Sequence, residues 1–486
     1  MAEAYGKLNG LPGVCFVSRG PGASNAMIGI HTAAQDSTPM LVFVGHIPRS
    51  DVGREAFQAL DYHQVYGSVA KKVITFNDAE RIPEQLQQAW SYATSGRPGP
   101  VVVELPEDML TDRAEVNDIP RPQVSQSAPA PWAMDKMHEL LDNAKRPVII
   151  CGGAGWTQKA SELLTVFSET YGIAVATAFR RSDCFDNLHP NYVGDLGINP
   201  NEQLVELVRD ADLIINIASR LGDVTTSGYE IFTVPDGISG RSDQSLIHVF
   251  ISGEEINSVY HCDLGIVSHP EAFLASALSY SHEAITFSGQ RISWLNEAHQ
   301  AHLNFVTTPS DAPGDLRMSD VMTIVRERMP AETILSCGAG LYTVHFQRHY
   351  FYRQFGTQVA STNGSMGYGV PGAIAAKLSK PDSPVICFAG DGCFLMNGQE
   401  LATAIHYDLN VIFMVVNNSL YGTIKSYQEH FFPDRQVATR LSNPDFAMLA
   451  RSYGAFGEVV HKTQDFPKVF EDALGCNKPA VIEFRM

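Results

Sequence analysis

Short apolar runs rich in β-branched residues alternate along this chain with segments of helical patterning. Val14-Cys15-Phe16-Val17, Met40-Leu41-Val42-Phe43-Val44 and Val101-Val102-Val103 form a first group. Pro147-Val148-Ile149-Ile150, Leu213-Ile214-Ile215-Asn216 and Leu246-Ile247-His248-Val249 form a second. Pro384-Val385-Ile386-Cys387-Phe388, Val411-Ile412-Phe413-Met414-Val415-Val416 and Ala480-Val481-Ile482-Glu483 form a third. A strand with one wet face alternates polar and apolar residues; these runs do not, so they read as strands buried on both sides. Strands of that kind, interleaved with helices, specify parallel sheets joined by right-handed crossovers. The expectation is an α/β protein of three tandem domains, each a parallel sheet flanked by helices. At roughly 100–200 residues per domain, 486 residues hold three such units with a core apiece.

Proline-rich seams separate the groups. Ile119-Pro120-Arg121-Pro122 through Ala128-Pro129-Ala130-Pro131 lacks apolar periodicity and reads as a linker. Thr308-Pro309 with Ala312-Pro313 marks a second seam, preceded by a polar, histidine-containing helical stretch. The expected division is therefore 1–112, a linker 113–131, 132–281, a connection 282–316, and 317–486.

The formal charge of −18, from 35 basic against 53 acidic residues, repels phosphate backbones. Lys71-Lys72 and Arg180-Arg181 are isolated pairs rather than a basic stripe, so no nucleic-acid partner is expected. No run approaches the roughly 18 apolar residues that span a bilayer, and Met1-Ala2-Glu3-Ala4-Tyr5-Gly6-Lys7 lacks the apolar stretch of a secretory leader. Eight scattered cysteines without a CxxC pair suit buried thiols in a reducing compartment. A cytoplasmic protein with no membrane partner is the expectation.

The chemistry concentrates in the third group. The run Val385–Phe388 leads into Gly390-Asp391-Gly392, a helical segment around Gln399–Ala404 follows, and the run Val411–Val416 leads into Asn417-Asn418. One βαβ unit thus leaves Asp391 and Asn418 beyond the carboxyl ends of two nearby strands, the edge where open α/β sheets bind ligands. Flanking glycines let backbone approach an anion. A carboxylate, an amide oxygen and a backbone carbonyl make an incomplete hard-oxygen set of the kind Mg2+ completes with water and phosphate. The competing reading is two ordinary polar turns.

The stretch from Gly390-Asp391-Gly392 to Asn417-Asn418 resembles the diphosphate-binding motif of thiamine-diphosphate enzymes, most closely the acetolactate synthase branch, and the resemblance extends over essentially the whole chain. It implies a pyrimidine-binding first domain, a Rossmann-like central domain and a diphosphate-binding third domain. It implies that Asp391, Asn418 and the Leu420 carbonyl hold Mg2+, and that Gly390, Gly392, Cys393, Tyr421 and Gly422 border thiamine diphosphate. In Asn363-Gly364-Ser365-Met366-Gly367-Tyr368-Gly369-Val370-Pro371, Met366 would wedge beneath the bent cofactor and the Gly364 carbonyl would accept from its amino group. Without the downstream motif Met366 reads as a core residue in a glycine-rich turn. Ser18-Arg19-Gly20-Pro21-Gly22-Ala23-Ser24-Asn25 resembles the family's Ser-Gly-Pro-Gly-Ala-Thr-Asn turn. Ala56-Phe57-Gln58 resembles its Ala-Phe-Gln segment, so Phe57 and Gln58 would border substrate and cofactor. Lys71 corresponds to a substrate-side lysine or is simply a solvated one.

The resemblance further implies 2-oxo acid substrates, a carboligase or decarboxylase reaction serving branched-chain amino acid synthesis, and a homodimer or homotetramer with its active site between subunits. Acetolactate synthases also bind FAD centrally. Gly152-Gly153-Ala154-Gly155 fails the GxGxxG pattern of a nicotinamide dinucleotide site, and Arg220-Leu221-Gly222-Asp223 reads either as a flavin loop or as a salt-bridged turn.

Three departures stand out. The family's catalytic glutamate precedes the segment matching Met1–Gly6, so the chain is expected to be shortened at its N-terminus and to lack it; Glu3 lies on the wrong side of the motif to replace it. That absence keeps a non-catalytic cofactor-binding subunit open as a second reading. Thr423-Ile424-Lys425-Ser426-Tyr427-Gln428 replaces Met-Val-x-Gln-Trp-Gln, and Gly338-Ala339-Gly340-Leu341 stands where Gly-Gln-His-Gln is usual. Both reshape the substrate end, which leaves oxalyl-CoA, benzoylformate and glyoxylate chemistry open.

Overall fold

A computed structural model describes residues 1–120, 124–232, 244–279, 289–309 and 314–486. Arg121-Pro122, Ala312-Pro313 and the expected boundary at 281 lie outside the described residues. Contacts divide the chain into two units, 1–125 with 361–365, and 126–360 with 366–486.

The first unit carries a four-stranded sheet of β1 (Gly13–Val17), β2 (Met40–His46), β3 (Lys72–Thr75) and β4 (Pro100–Pro106), in the order β1-β2-β4-β3 and parallel throughout. The run 14–17 departs from expectation. It forms an edge strand with Val14 and Phe16 exposed, Phe16 stacking its ring on Phe43 at 4.6 Å between centroids. Its apolar composition therefore marks an uncovered face, whereas Leu41, Val42, Val101, Val102 and Val103 are buried. The short segment 361–365 packs on the helix Gly20–Asp36, where Asn363 Nδ2 donates to Thr32 Oγ1 at 3.1 Å and the Thr362 amide to Asp36 at 2.7 Å.

The second unit holds two six-stranded parallel sheets. One contains β5 (Pro147–Cys151), β6 (Ala174–Ala178), β7 (Tyr192–Leu196), β8 (Leu213–Ile217), β9 (Ser245–Phe250) and β10 (Leu264–Val267), in the order β10-β9-β8-β5-β6-β7. The other contains β11 (Ile334–Cys337), β12 (Gln358–Ala360), β13 (Val385–Gly390), β14 (Val411–Asn417), β15 (Phe456–Val460) and β16 (Ala480–Arg485), in the order β12-β11-β13-β14-β16-β15. Both β5 and β14 are buried along their full length, as runs apolar on two faces require. The stretch 282–316, read as a connection, carries the helix Gly289–Thr307. Its Arg291 donates to the Tyr171 and Leu141 carbonyls at 3.0 Å, so it is a covering layer rather than a free linker.

Polar contacts join the two sheets of this unit. Ser182 N donates to Gln358 Oε1 at 2.7 Å, and Asn187 and Tyr352 exchange backbone and side-chain bonds at 2.8 and 2.9 Å. Gln347 donates to Asp195, whose other oxygen accepts from Ser182 Oγ at 2.9 Å. Burial pushes the Asp195 carboxyl up to about 6 despite those donors. The unfolded chain ionises this group near 4, so the fold loses stability as pH rises from about 4 to about 6, and the loss persists above. Asp195→Asn removes the ionisation and offers a donor to Gln347 Oε1, which is buried without a partner. The variant is expected to be more stable by about 2–3 kcal/mol above pH 7, with melting temperatures of the two proteins converging below pH 4.

Candidate active site

Strand order in the third sheet reverses at β11, which has β12 on one side and β13 on the other. Connections leaving a sheet at such a reversal open a crevice beyond the carboxyl ends of its strands. The residues at those ends are Gly338-Ala339-Gly340, Gly390-Asp391-Gly392 and Asn417-Asn418. A methyl group on Gly390 would meet the Tyr342 ring at 2.9 Å, and one on Gly392 would meet the Tyr421 ring at 2.6 Å. Both glycines thus have a packing reason that needs no ligand.

The helix starts at Asp391 itself, earlier than the segment 399–404 suggested, and runs to Asn397. Asp391 is 3 % exposed; its Oδ1 accepts from the Gly392 amide at 2.7 Å and its Oδ2 from Asn443 Nδ2 at 2.8 Å. The same Asn443 nitrogen donates to Asn417 Oδ1 at 2.8 Å, and Asn417 Nδ2 donates to Glu483 at 2.8 Å. Asn417, not Asn418, therefore shares a partner with Asp391. Asn418 is exposed, and its Oδ1 accepts from the Leu420 amide at 3.0 Å, closing an Asx turn. That turn is held from outside. Tyr421 N donates to the Thr439 carbonyl and Leu441 N to the Ser419 carbonyl, each at 2.8 Å, with Leu420 bridged to Arg440. Gly422 follows as the first residue of the helix Gly422–Phe431.

Met366 is half-buried, and the residue after it is clamped to the helix that Asp391 opens. Gly367 N donates to Cys393 Sγ at 3.0 Å, and Asn397 Nδ2 donates to the Gly367 carbonyl at 3.0 Å. Tyr342 completes the clamp by donating to Cys393 Sγ at 3.4 Å; burial holds its hydroxyl well above the ordinary range, so it keeps that proton. Cys393 is a packing and hydrogen-bonding residue here. Below the turn at 338, Arg180 donates to the Gly338 carbonyl at 3.0 Å and to Cys337 Sγ.

In the first unit, Gly20 N donates to the Gln58 carbonyl at 3.1 Å, which joins the start of the helix Gly20–Asp36, where a loop was expected, to the Ala-Phe-Gln segment. Gln58 has a positive φ of 63°, and Phe57 is 78 % exposed. Lys71 is not brought to them. It precedes β3 and donates to the Ser95 carbonyl at 2.7 Å, at the amino-terminal edge of a sheet whose carboxyl-terminal edge carries Gly20 and Gln58. Gly364 is exposed in the segment 361–365 with φ 65°. Glu3 is buried, accepting from Thr38 Oγ1 at 2.9 Å beside Lys7, a structural placement. In the central sheet's loops Arg220 pairs with Glu255 at 3.3 Å, and Arg181 donates to the Gly153 carbonyl at 2.7 Å.

Among the described residues no three His, Cys, Asp or Glu side chains cluster for a metal, so a soft-metal site is not formed there. The corner at Asp391 offers one carboxylate and the Asn417 amide oxygen, joined by Asn443, whose own Oδ1 atom is buried there without a partner. Those donors fit Mg2+ carried in with a diphosphate. Neither Asn443 nor Glu483 was apparent in the sequence; Asn443-Pro444-Asp445 announces only a turn and a helix start.

Comparison with known proteins agrees with this geometry. Residues 338–484 match the C-terminal TPP binding domain of thiamine pyrophosphate enzymes, 134–277 their central domain and 1–65 their N-terminal TPP binding domain. A probable acetolactate synthase large subunit of Methanocaldococcus jannaschii is 30% identical over 99% of this chain and 82% of its own length. The mitochondrial acetolactate synthase catalytic subunit of Saccharomyces cerevisiae is 30% identical over 99% and 72%, and the Lactococcus lactis large subunit 29% over 99% and 83%. These alignments leave the expected shortening of the N-terminus without support. Among the described residues no helix is long and apolar enough to cross a membrane. With the sheets, the crevice and these matches in agreement, the chain belongs to the thiamine pyrophosphate enzyme family, among the acetolactate synthase large subunits and their relatives.

Proposed function

We propose that this protein is a thiamine-diphosphate- and Mg2+-dependent carboligase or decarboxylase acting on 2-oxo acids, of the acetolactate synthase kind. The observation that carries the proposal is the oxygen-rich corner at the sheet reversal, where Asp391 and the Asn417–Leu420 turn meet through Asn443. There Asp391, Asn418 and the Leu420 carbonyl would hold the metal. Met366 would support the cofactor from below, fixed by the clamp on Gly367, and the Gly364 carbonyl would orient its amino group. Thiamine diphosphate, when bound, supplies the electron sink that lets a 2-oxo acid lose carbon dioxide. The chain's own contribution is placement: one anionic ligand for the metal, a clamped backbone at 367, and aromatic walls at Tyr342 and Tyr421 that keep water from the crevice floor.

Both departures at the substrate end fall together, since the Leu341 amide donates to Thr423 Oγ1 at 3.1 Å. Choice of donor and acceptor keto acid is assigned to that patch; Phe57 and Gln58 are carried by family resemblance alone as residues bordering substrate and cofactor. By family resemblance the working unit is at least a homodimer, and the eight unpaired cysteines suit a reducing compartment such as the cytoplasm. FAD has the least support, because Arg220 is already engaged by Glu255.

Calorimetry tests the cofactor and product analysis tests the reaction. Purified protein is expected to bind thiamine diphosphate only when Mg2+ is present, and to release carbon dioxide from pyruvate with formation of a carbon–carbon bonded product. Binding without turnover would favour a non-catalytic subunit; no Mg2+-dependent binding would overturn the proposal. Visible absorbance of the same preparation decides the flavin.

A further inference from the structure

We propose that Asn443 is a positioning residue for the metal corner, holding both ligand-bearing turns in register with one side-chain amide; this rests on the reading of Asp391 as a metal ligand. Asp391 and Asn417 close two different strands, and the pairing of Gly390 with Val416 sets them side by side. Nothing in the strand ladder fixes the rotation of either side chain. The Asn443 NH2 group does so, donating one hydrogen to Asp391 Oδ2 and the other to Asn417 Oδ1, both at 2.8 Å. Asn417 Oδ1 in turn accepts from Ser419 N at 3.2 Å and Ser419 Oγ at 3.3 Å, shaping the turn that carries Asn418 and Leu420. One amide therefore sets the carboxylate and, through Asn417 and Ser419, the remaining two oxygen donors.

What holds Asn443 is its loop. Three residues on, the Phe446 and Ala447 amides donate to Glu483 Oε2 at 2.9 and 3.3 Å, while Glu483 Oε1 accepts from Asn417. The hydrogen bonds close a ring through Asn443, Asn417, Glu483 and the Phe446 amide, with Asp391 attached to it at Asn443 and the loop pinned at both ends. A ligating carboxylate held by an outer partner binds metal more tightly because its geometry is set beforehand, and loss of such a partner weakens binding by about 10–100-fold.

The test is a Mg2+ titration by calorimetry at fixed thiamine diphosphate, with the full-length protein, on Asn443→Ala and on the nearly isosteric Asn443→Leu. Both variants are expected to shift half-saturating Mg2+ upward by about 10–100-fold, with thiamine diphosphate binding restored by excess Mg2+. The melting temperature of the metal-free protein should stay within a few degrees of wild type, which a merely structural role would not predict. Half-saturation within twofold of wild type, or a loss that excess Mg2+ does not restore, overturns the assignment. Asp391→Ala is the reference: if it too leaves Mg2+ unaffected, it is the metal reading of the corner that fails, not the positioning role alone.

Discussion

Asp391→Ala is expected to lose Mg2+-dependent binding of thiamine diphosphate by more than about 100-fold, close to 3 kcal/mol or beyond. Asp391 supplies the corner's one carboxylate, and the remaining donors are neutral amide and carbonyl oxygens. A hard divalent ion shared with a diphosphate depends on such an anionic protein ligand for much of its attraction. The substitution also leaves the partly buried Asn443 amide without one of its two acceptors. Asp391→Asn separates the two contributions. It keeps the shape but removes the charge, and it turns a donor toward the Asn443 donor unless its amide rotates. Calorimetry with and without Mg2+ is the measurement. The two variants should fall together if charge dominates, with Asp391→Asn retaining the higher melting temperature. Unchanged affinity in both would remove Asp391 from the metal site.

The fold was largely legible because it rests on a property local to each segment. Nine apolar runs without polar alternation read as covered strands, and the strands they mark lie in three parallel sheets. The misreading at 14–17 is instructive: Phe16 and Val14 are apolar yet exposed, because composition reports what a strand tolerates on its faces and not what covers them. The site was legible in part. Asp391 stood out because Gly-Asp-Gly and Asn-Asn, each an ordinary turn alone, follow two apolar strands of one βαβ unit. The partition between Asn417 and Asn418 was not visible, since two adjacent asparagines are equivalent in a string. Only the alternation of the strand decides which is buried against Glu483 and which is left in the exposed turn. Lys71 rested on resemblance alone, which does not say at which edge of the sheet the residue before the next strand will stand; it stands at the amino-terminal edge, bonded to the Ser95 carbonyl. Asn443 and Glu483 lie 52 and 92 residues beyond Asp391 in sequence; sheet order sets Glu483 beside Asn417, and the loop before the helix Phe446–Ser452 brings Asn443 to both asparagine and aspartate.

Glu483→Leu is expected to destabilise the third sheet's active edge by about 3–5 kcal/mol. The side chain is fully buried, and its two oxygens accept from Asn417 Nδ2 and Arg485 Nε on one side and from the Phe446 and Ala447 amides on the other. Leucine fills the space but accepts nothing. Arg485, partly exposed, keeps its bond to Asp445 at 2.9 Å and turns to water at little cost. The two backbone amides and the Asn417 amide have no such exit, and each buried donor left unpaired costs about 1–3 kcal/mol. Because the amides belong to the first turn of the helix Phe446–Ser452, the expected signature is local. Hydrogen exchange at Phe446 and Ala447 should accelerate by at least about 100-fold, while exchange in β5 and β8 of the neighbouring sheet stays unchanged. The same ring leads to Asp391 through Asn417 and Asn443, so Mg2+ affinity should fall as well, by an amount similar to that of Asn443→Ala. Glu483→Gln discriminates further: it keeps an acceptor for one side of the ring and presents a donor to the other, so it should recover about half of the protection and leave either the helix start or Asn417 unpaired. Loss of Mg2+ affinity without accelerated exchange would break the proposed link between the buried carboxylate and the metal corner. Accelerated exchange with Mg2+ affinity intact would show that the loop and the ligands are held independently.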